Sequence, residues 1–431
     1  MRTEIPKGKL RRSAVGGKTL AQVGGKVISY YTKRPFLSEK KRVLAKASLE
    51  RESADILFQG LGLLKGTAVK IAQMLSFEMD ILPPAVCAAL SKSYNQVPPM
   101  NPALVRKAIF NAFGRPLETV FETFDTKAFA AASLGQVHRA LSLNGENLAV
   151  KIQYPGIATT IDNDLQLVKN LMRPVVEYDL LLPAIKEIEA RLLEEVDYVQ
   201  EAQHTAWFRQ NLHQSNLRIP QVATDLSTGT VLSAEHLAGL PLNEWLQTKP
   251  DQAARDQVAQ QLNDLFLECL YGFNRIHADP NPGNFIIGED LSVGLVDFGC
   301  VKQLDPVFAE GYRQLVQAIV VKDKSRHIKL LHDLGMFKAE LDQETENLVS
   351  DIFNRFGNWL GRLYESTHFD FGANSDFMKS GKEISQDVYK LRKHFEMNPE
   401  FVFLDRTRYG LLRLFEQMRA RVRIRNPYEC D

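Results

Sequence analysis

Apolar and polar positions divide the chain into a helical first part, a strand-rich middle and a helical remainder. In residues 1–35, Leu20, Val23, Val27 and Ile28 make one stripe on a short helix within an otherwise solvated basic arm. Over residues 38–78, Leu57, Leu61, Leu64, Ala68, Ile71 and Leu75 recur at helical spacing. Pro-Pro pairs bracket residues 82–99 around a short helix, and residues 102–124 read as another helix ending in Phe-Glu-Thr-Phe. The period then changes. A small-residue turn at Phe129–Ser133 leads into a strand, Asn144-Gly145 marks a hairpin, and Leu148–Tyr154 is a second strand. One long helix is expected over 183–209, with Ile188, Leu192, Val196 and Val199 as its apolar stripe. A strand from Thr230 to Leu237 runs into Ala-Gly, and residues 254–273 are an amphipathic helix. Residues 285–296 read as a hairpin turning at Gly288-Glu-Asp, and helices follow at 308–321, 325–335, 343–365, 376–394 and 402–421. The pattern predicts an α+β chain.

Polar residues that interrupt these runs carry the chemistry. Lys151 stands in the middle of an apolar strand, where an ammonium group is costly unless its charge is paired. The helix over 183–209 offers Glu194, Glu195, Asp197 and Glu201. On a helical wheel Glu195 falls at the edge of the apolar stripe, while Asp197 and Glu201 share another face, so either glutamate can meet the lysine. The turn Ala130, Ala131, Ala132, Ser133 consists of small residues that let backbone amides approach phosphates. Alanine should make that turn stiffer than glycine. Further on, His277-Ala-Asp279-Pro-Asn-Pro-Gly-Asn284 is followed by Val296-Asp297-Phe298-Gly299. An acid five positions before an asparagine, with an Asp-Phe-Gly beyond a hairpin, is the layout of a kinase catalytic loop and its metal aspartate. A surface turn has the same composition as the first of these runs, so its weight comes from the lysine strand upstream.

Composition narrows the setting. The 431 residues are enough for two or three structural units, and 45% apolar content fits a substantial core. Net charge is +1, yet residues 1–51 hold 14 Lys/Arg against three acids, so the rest of the chain is acidic. Such a basic arm suits anionic lipid heads; nothing else in the chain points to nucleic acid. Cys87, Cys269, Cys300 and Cys430 are far apart with no Cys-x-x-Cys spacing, which argues against a disulfide framework or zinc site and for a reducing compartment. No apolar run is long enough to span a bilayer, and no secretory leader is expected.

The set resembles the UbiB (AarF/ADCK) family of atypical protein-kinase-like proteins, ubiquinone-linked type, over nearly the whole chain. The resemblance rests on Lys70-Ile-Ala-Gln73, Ala130-Ala-Ala-Ser133-Leu-Gly-Gln-Val-His, Ala149-Val-Lys151-Ile-Gln-Tyr, Glu195-Val-Asp197-Tyr with Glu201, the 277–284 loop, Asp297-Phe-Gly and the tail Phe403-Leu-Asp-Arg-Thr-Arg-Tyr-Gly. It implies a bilobal protein-kinase-like fold with an N-terminal helical extension over the active site. Its parts would be a basic arm (1–37), an extension carrying the Lys-x-Ala-Gln motif (38–124), an N-lobe with an antiparallel sheet (125–235) and a helical C-lobe (236–431). It further implies ATP and Mg2+ as cofactors. Lys151 would bind phosphates beneath Ala130, Ala131, Ala132 and Ser133, and Ala234, Glu235, His236 and Leu237 would form the hinge that meets adenine. Asp279 would be the base-position aspartate, and Asn284 and Asp297 would hold magnesium. Glu201 matches the usual helix glutamate, whereas the wheel favours Glu195. Lys70 and Gln73 would lie in the extension, anchored by Glu195 and Asp197. Three departures stand out: Ala72 where the family has glycine, Ala278 where ordinary kinases have arginine, and no Ala-Pro-Glu for peptide binding.

The function so implied is an ATP-dependent kinase or ATPase supporting ubiquinone biosynthesis. It would hydrolyse ATP or act on a small lipid-like substrate rather than on proteins. The alternative is a nucleotide-gated binding module with negligible turnover, and a small-molecule phosphotransferase comes third. Implied partners are an anionic membrane surface or isoprenoid lipid and ubiquinone-biosynthesis proteins, with a homodimer left open. The implied location is cytoplasmic and peripheral to a membrane, on the mitochondrial matrix side in a eukaryote.

Overall fold

The computed structural model describes residues 9–39, isolated positions between 41 and 71, and residues 100–132, 134–172, 178–337, 342–391 and 398–430. The chain divides into two compact units, Met1–Ala202 with Val222–His236, and Gln203–Gln221 with Leu237–Asp431.

The first unit is built on an antiparallel sheet. Its strands run in the order Phe121–Phe124, Gly135–Ser142, Asn147–Gln153, Val231–Glu235, and Ala130–Ala132 folds back on Gly135–Val137. Alternation sets the faces: Leu148, Val150 and Ile152 are buried on the lysine strand. They pack with Val105 and Ile109 of helix Pro102–Phe113 and with Ile161, Ile188 and Leu192 from the following helices.

Three expectations need correction here. The short helix expected in the basic arm is 25 residues long, Lys9–Lys33; Val23 is buried and Val27 packs against the same core, whereas Ile28 is 66% exposed and leaves the expected stripe. The helix expected over 102–124 stops at Phe113. Asn101 caps its start by accepting from Leu104 N, Gly114 closes it in the left-handed region, and Phe121–Phe124 is a strand. The long helix over 183–209 is two helices, Tyr178–Glu195 and Tyr198–Asn211. Asp197 makes the break: its Oδ1 accepts from Gln200 N at 3.0 Å, capping the second helix. Gln153 Nε2 fixes the junction from the sheet by donating to Val196 O at 2.6 Å.

The second unit is helical around one large core that includes Phe266, Leu270, Phe298, Val316, Leu363, Phe377, Leu404 and Phe415. Helix Gln252–Leu267, capped by Asp251, passes through a π turn, Glu268–Gly272, into the strand Arg275–His277. That strand pairs with Val301–Gln303, and Phe285–Ile287 pairs with Val293–Leu295 as the expected hairpin. Helices Pro306–Val320, Lys324–Asp333, Gln343–Gly361, Phe377–Lys390 and Pro399–Met418 complete the unit.

A buried ionic cluster ties the C-terminal segment into this unit. Arg408 and Glu429 are 5% and 0% exposed, and Arg408 Nη1 donates to Glu429 Oε1 at 2.9 Å. Tyr271 donates to Oε1 at 2.7 Å, and Tyr364 and Asn426 donate to Oε2 at 2.5 and 2.8 Å. Burial alone would push the Glu429 carboxyl up, but the Arg408 guanidinium and these donors hold it below the ordinary carboxylate range.

Candidate functional site

Lys151 lies in the centre of the first unit's sheet, opposite Val137 on one side and Leu232 on the other. Its Nζ donates to both oxygens of Glu201, at 2.8 and 2.9 Å, and sits 5.1 Å from the ring centre of Tyr198. The two side chains are 14% and 3% exposed. The helix break decides between the two glutamates. Glu195 ends one helix and Glu201 lies in the first turn of the next, so a wheel drawn through both does not apply. Removing one partner of such a buried pair costs about 3–5 kcal/mol, whereas apolar replacement of both is often neutral. Stability therefore gives no reason to keep a lysine here.

The alanine run forms a tight hairpin against the same sheet, Ala132 facing Gly135. Gly135 has to be glycine because a Cβ would stand 2.3 Å from Ile152 O. Ala130 and Ala131 are exposed, so their methyl groups and amides border open space. Buried polar groups support the hairpin base: Gln136 Oε1 accepts from Met100 N at 2.8 Å, and its Nε2 meets His138 Nε2 at 2.8 Å. His138 Nδ1 donates to Asp125 O at 2.8 Å, and burial keeps the ring neutral by lowering its pKa. At the other edge Ala234 and Glu235 pair with Ala149 and Leu148, and His236 N donates to Asn147 O at 2.9 Å. Leu237 begins the rest of the second unit.

The second unit assembles the acidic residues. Asn281 Oδ1 accepts from Gly283 N at 2.9 Å, turning the chain into the short 3-10 helix Pro282–Asn284. The turn brings Asn284 back onto Asp279. Asn284 Nδ2 donates to Asp279 Oδ2 at 2.9 Å and to Asp279 O at 3.2 Å. With its amide nitrogen so engaged, Asn284 has its Oδ1 left as an acceptor. The hairpin then returns the chain alongside, Val296 N donating to Asn284 O at 3.0 Å, and Asp297 follows at once. Asp297 has φ +61°, a left-handed conformation that a non-glycine residue keeps where the surroundings impose it. They do so here: His277 Nε2 donates to Asp297 O at 2.8 Å, and Gly299 N donates to its Oδ1 at 3.3 Å. Phe298 is 1% exposed, its ring 5.0 Å from that of Phe208, and its carbonyl accepts from His204 Nδ1 at 3.2 Å.

The Asn284 amide oxygen and the Asp297 carboxylate are hard oxygen donors, which suits magnesium, an ion held by one or two protein carboxylates with phosphate and water completing its octahedron. No cluster of three His, Cys, Asp or Glu that could hold a metal by itself occurs among the described residues. The donor set fits magnesium that arrives with phosphate.

Lys70, Gln73 and Ser133 lie outside the described residues. Asp197 is placed as a helix cap, and Glu195 ends the preceding helix. Sequence reasoning missed three contacts: Tyr198 beside Lys151, His204 on Phe298 O, and Arg406, whose Nη2 lies 3.3 Å from Asp279 Oδ1. Arg406 sat in a recognised tail motif, but no local pattern links it to a loop 127 residues earlier.

Residues 92–331 match the ABC1 atypical kinase-like domain. The chain is 28% identical over 388 residues to "Atypical kinase coq-8, mitochondrial" of Caenorhabditis elegans, a match covering 87% of this chain and 51% of that one. It is 27% identical to "Atypical kinase COQ8B, mitochondrial" of Danio rerio over 99% of this chain and 68% of that one. It is 30% identical to the uncharacterized protein slr0889 of Synechocystis over 62% and 69%. It thus spans about half the length of the worm relative. Among solved structures, the erythromycin complex of Rv3197 from Mycobacterium tuberculosis matches with a TM-score of 0.60 at 23% identity, covering 90% of this chain and 96% of that one. That likeness concerns the fold, which is the expected protein-kinase-like one: an antiparallel-sheet unit and a helical unit.

Proposed function

Because this chain belongs to the ABC1 atypical kinase-like family, we propose that it binds ATP with magnesium and catalyses transfer of the γ-phosphoryl group. The acceptor is water or a small lipid-like hydroxyl rather than a protein. The observation that carries the reading is the buried pair of Lys151 with Glu201, a cation held on an apolar strand at a cost in stability that phosphate binding explains.

In the proposed step an acceptor oxygen bonds to the γ-phosphorus in line as the bond to the ADP oxygen breaks. Asp279 takes a hydrogen bond from the acceptor hydroxyl, fixes its direction and receives its proton as the new bond forms, while ADP leaves with the electron pair of the broken bond. Asn284 holds Asp279 in place through Oδ2. Lys151 holds the phosphates, and Glu201 holds Lys151. Asn284 Oδ1 and the Asp297 carboxylate would ligate magnesium, which offsets phosphate charge when bound. The backbone at Ala130–Ala132 would lie against phosphate, and the strand end at Ala234, Glu235 and His236, with Leu237, would meet the adenine edge.

We further propose that the protein works at an anionic membrane surface in ubiquinone or related isoprenoid-lipid biosynthesis, on the matrix side in a mitochondrion. The helix Lys9–Lys33 supports this. Ile28 and Tyr31 are 66% and 58% exposed, Phe36 just beyond is 89% exposed, and Lys18, Lys26, Lys33 and Arg34 stand among them. Apolar contact with basic residues around it is how interfacial helices bind, each cation adding about 1 kcal/mol on an anionic leaflet. The test is ATP turnover with vesicles of anionic phospholipid, with vesicles of neutral phospholipid, and with none. Anionic vesicles are expected to raise turnover severalfold and neutral ones to leave it unchanged. Equal turnover in all three would overturn the membrane part of the proposal.

A further inference from the structure

We propose that the helix Pro399–Met418 belongs to the active centre, with Arg406 as a positioning residue for Asp279 and Gly410 setting how closely the catalytic loop seats. The inference rests on reading Asp279 as the residue that orients the acceptor.

Two independent contacts join this helix to the loop. Arg406 Nη2 donates to Asp279 Oδ1 at 3.3 Å while Asn284 Nδ2 donates to Oδ2 at 2.9 Å. Each carboxylate oxygen therefore has one donor in a fixed direction, and together the two donors set the plane of the carboxylate. Asp279 is still 31% exposed, so lone pairs remain for an acceptor hydroxyl. One helical turn along, a Cβ at Gly410 would stand 2.2 Å from Pro280 Cγ and 2.9 Å from Pro280 Cβ. Glycine inside a helix is unfavourable relative to alanine, so a glycine facing the residue next to Asp279 marks a close approach of helix and loop.

The helix is a firm base for such a contact. Asn398 caps it by accepting from Glu400 N at 3.0 Å, and Glu400 Oε1 accepts from Asp305 N at 2.8 Å. Lys302 Nζ lies 4.7 Å from the ring centre of Phe403, and the buried Arg408–Glu429 pair holds the middle. A side chain on an anchored helix keeps its target more narrowly than one on a loop. The usual kinase loop has its arginine beside the aspartate. Here Ala278 takes that position, fully buried and bonded through its amide to Cys300 O at 2.9 Å. The cation that reaches the aspartate comes instead from the C-terminal helix. Arg406 and Asp279 are 36% and 31% exposed, so their ion pair adds little to stability and its effect lies in orientation.

The experiment measures kcat, nucleotide Kd and Tm for Arg406→Ala, Arg406→Lys, Gly410→Ala and Asp279→Asn. Arg406→Ala is expected to lower kcat about ten- to a hundredfold, with Kd and Tm unchanged. Arg406→Lys should lose less, and guanidinium ion added to Arg406→Ala should restore part of the rate. Gly410→Ala should also lower kcat with Kd unchanged. Full kcat in Arg406→Ala, or a loss matched by losses in Kd and Tm with no guanidinium rescue, would overturn the inference. If Asp279→Asn turns over normally, the reading of the site itself fails. If Asp279→Asn is inactive while Arg406→Ala is fully active, only the positioning role falls.

Discussion

Asp279→Asn is expected to lower ATP turnover roughly 10²–10⁴-fold while nucleotide still binds. The hydrogen bonds around the carboxylate explain the size. Asn284 Nδ2 and Arg406 Nη2 both donate to it, one to each oxygen. A carboxylate only accepts, so it satisfies two donors and still has a lone pair for the acceptor hydroxyl. The amide of asparagine places an NH2 group against one of those donors and must rotate or shift away. Either movement loses the direction that positions the attacking oxygen, and a displacement of about 1 Å can cost a hundredfold. Turnover close to that of the unaltered protein would instead favour a nucleotide-gated binding module. Steady-state ATP hydrolysis alongside equilibrium nucleotide binding separates the two.

The largest loss of stability is expected from the ionic cluster of the second unit. Glu429→Ala should destabilise that unit by about 3–5 kcal/mol, because it leaves the Arg408 guanidinium buried without its carboxylate. For a unit of this size the melting temperature should fall by roughly 10 °C. The phenols of Tyr271 and Tyr364, kept protonated by burial and the Glu429 charge, would lose their acceptor at the same time. The double variant Arg408→Met with Glu429→Leu should recover most of the loss, since apolar residues of similar volume often replace a buried pair at no cost. Thermal unfolding of the unaltered protein and of both variants is the check, and Glu429→Ala melting with the unaltered protein would contradict it. The pH dependence has a definite sign. Glu429 has its folded pKa below the ordinary value of 4.5, so its contribution is fully present above that pH and fades as pH falls beneath it.

The parts of this fold that were readable in the sequence are those set by local period and spacing. The Lys151 strand announces itself by apolar alternation, and the run from His277 to Gly299 by its spacing across a hairpin, which the register of Phe285–Leu295 reproduces. What escaped was decided by single capping residues or by distance along the chain. Asp197 looked like one acid among several on a helix face, but it caps a new helix, and that alone moves the lysine's partner from the glutamate the wheel favoured to Glu201. Gly114 did the same for residues 102–124, where apolar spacing runs on past a left-handed stop. Basic residues and paired glycines suggested only a short helix in the arm, yet the Lys9–Lys33 helix continues through Gly17, Gly24 and Gly25. Contact of that helix with Ile161–Met172 makes the difference, a tertiary effect that propensity does not contain. Arg406 reaches Asp279 only because helix Pro399–Met418 is anchored elsewhere, and no periodicity carries that information.

In the proposed reaction Lys151 holds the phosphates of ATP and Asp297 holds its magnesium. Nucleotide titration with and without magnesium, on the unaltered chain and on Lys151→Met and Asp297→Asn, tests these two roles. Magnesium should tighten ATP binding to the unaltered chain. Lys151→Met should weaken binding in either condition, and Asp297→Asn should remove the magnesium effect. Binding that is indifferent to both substitutions, or to magnesium throughout, would contradict the account.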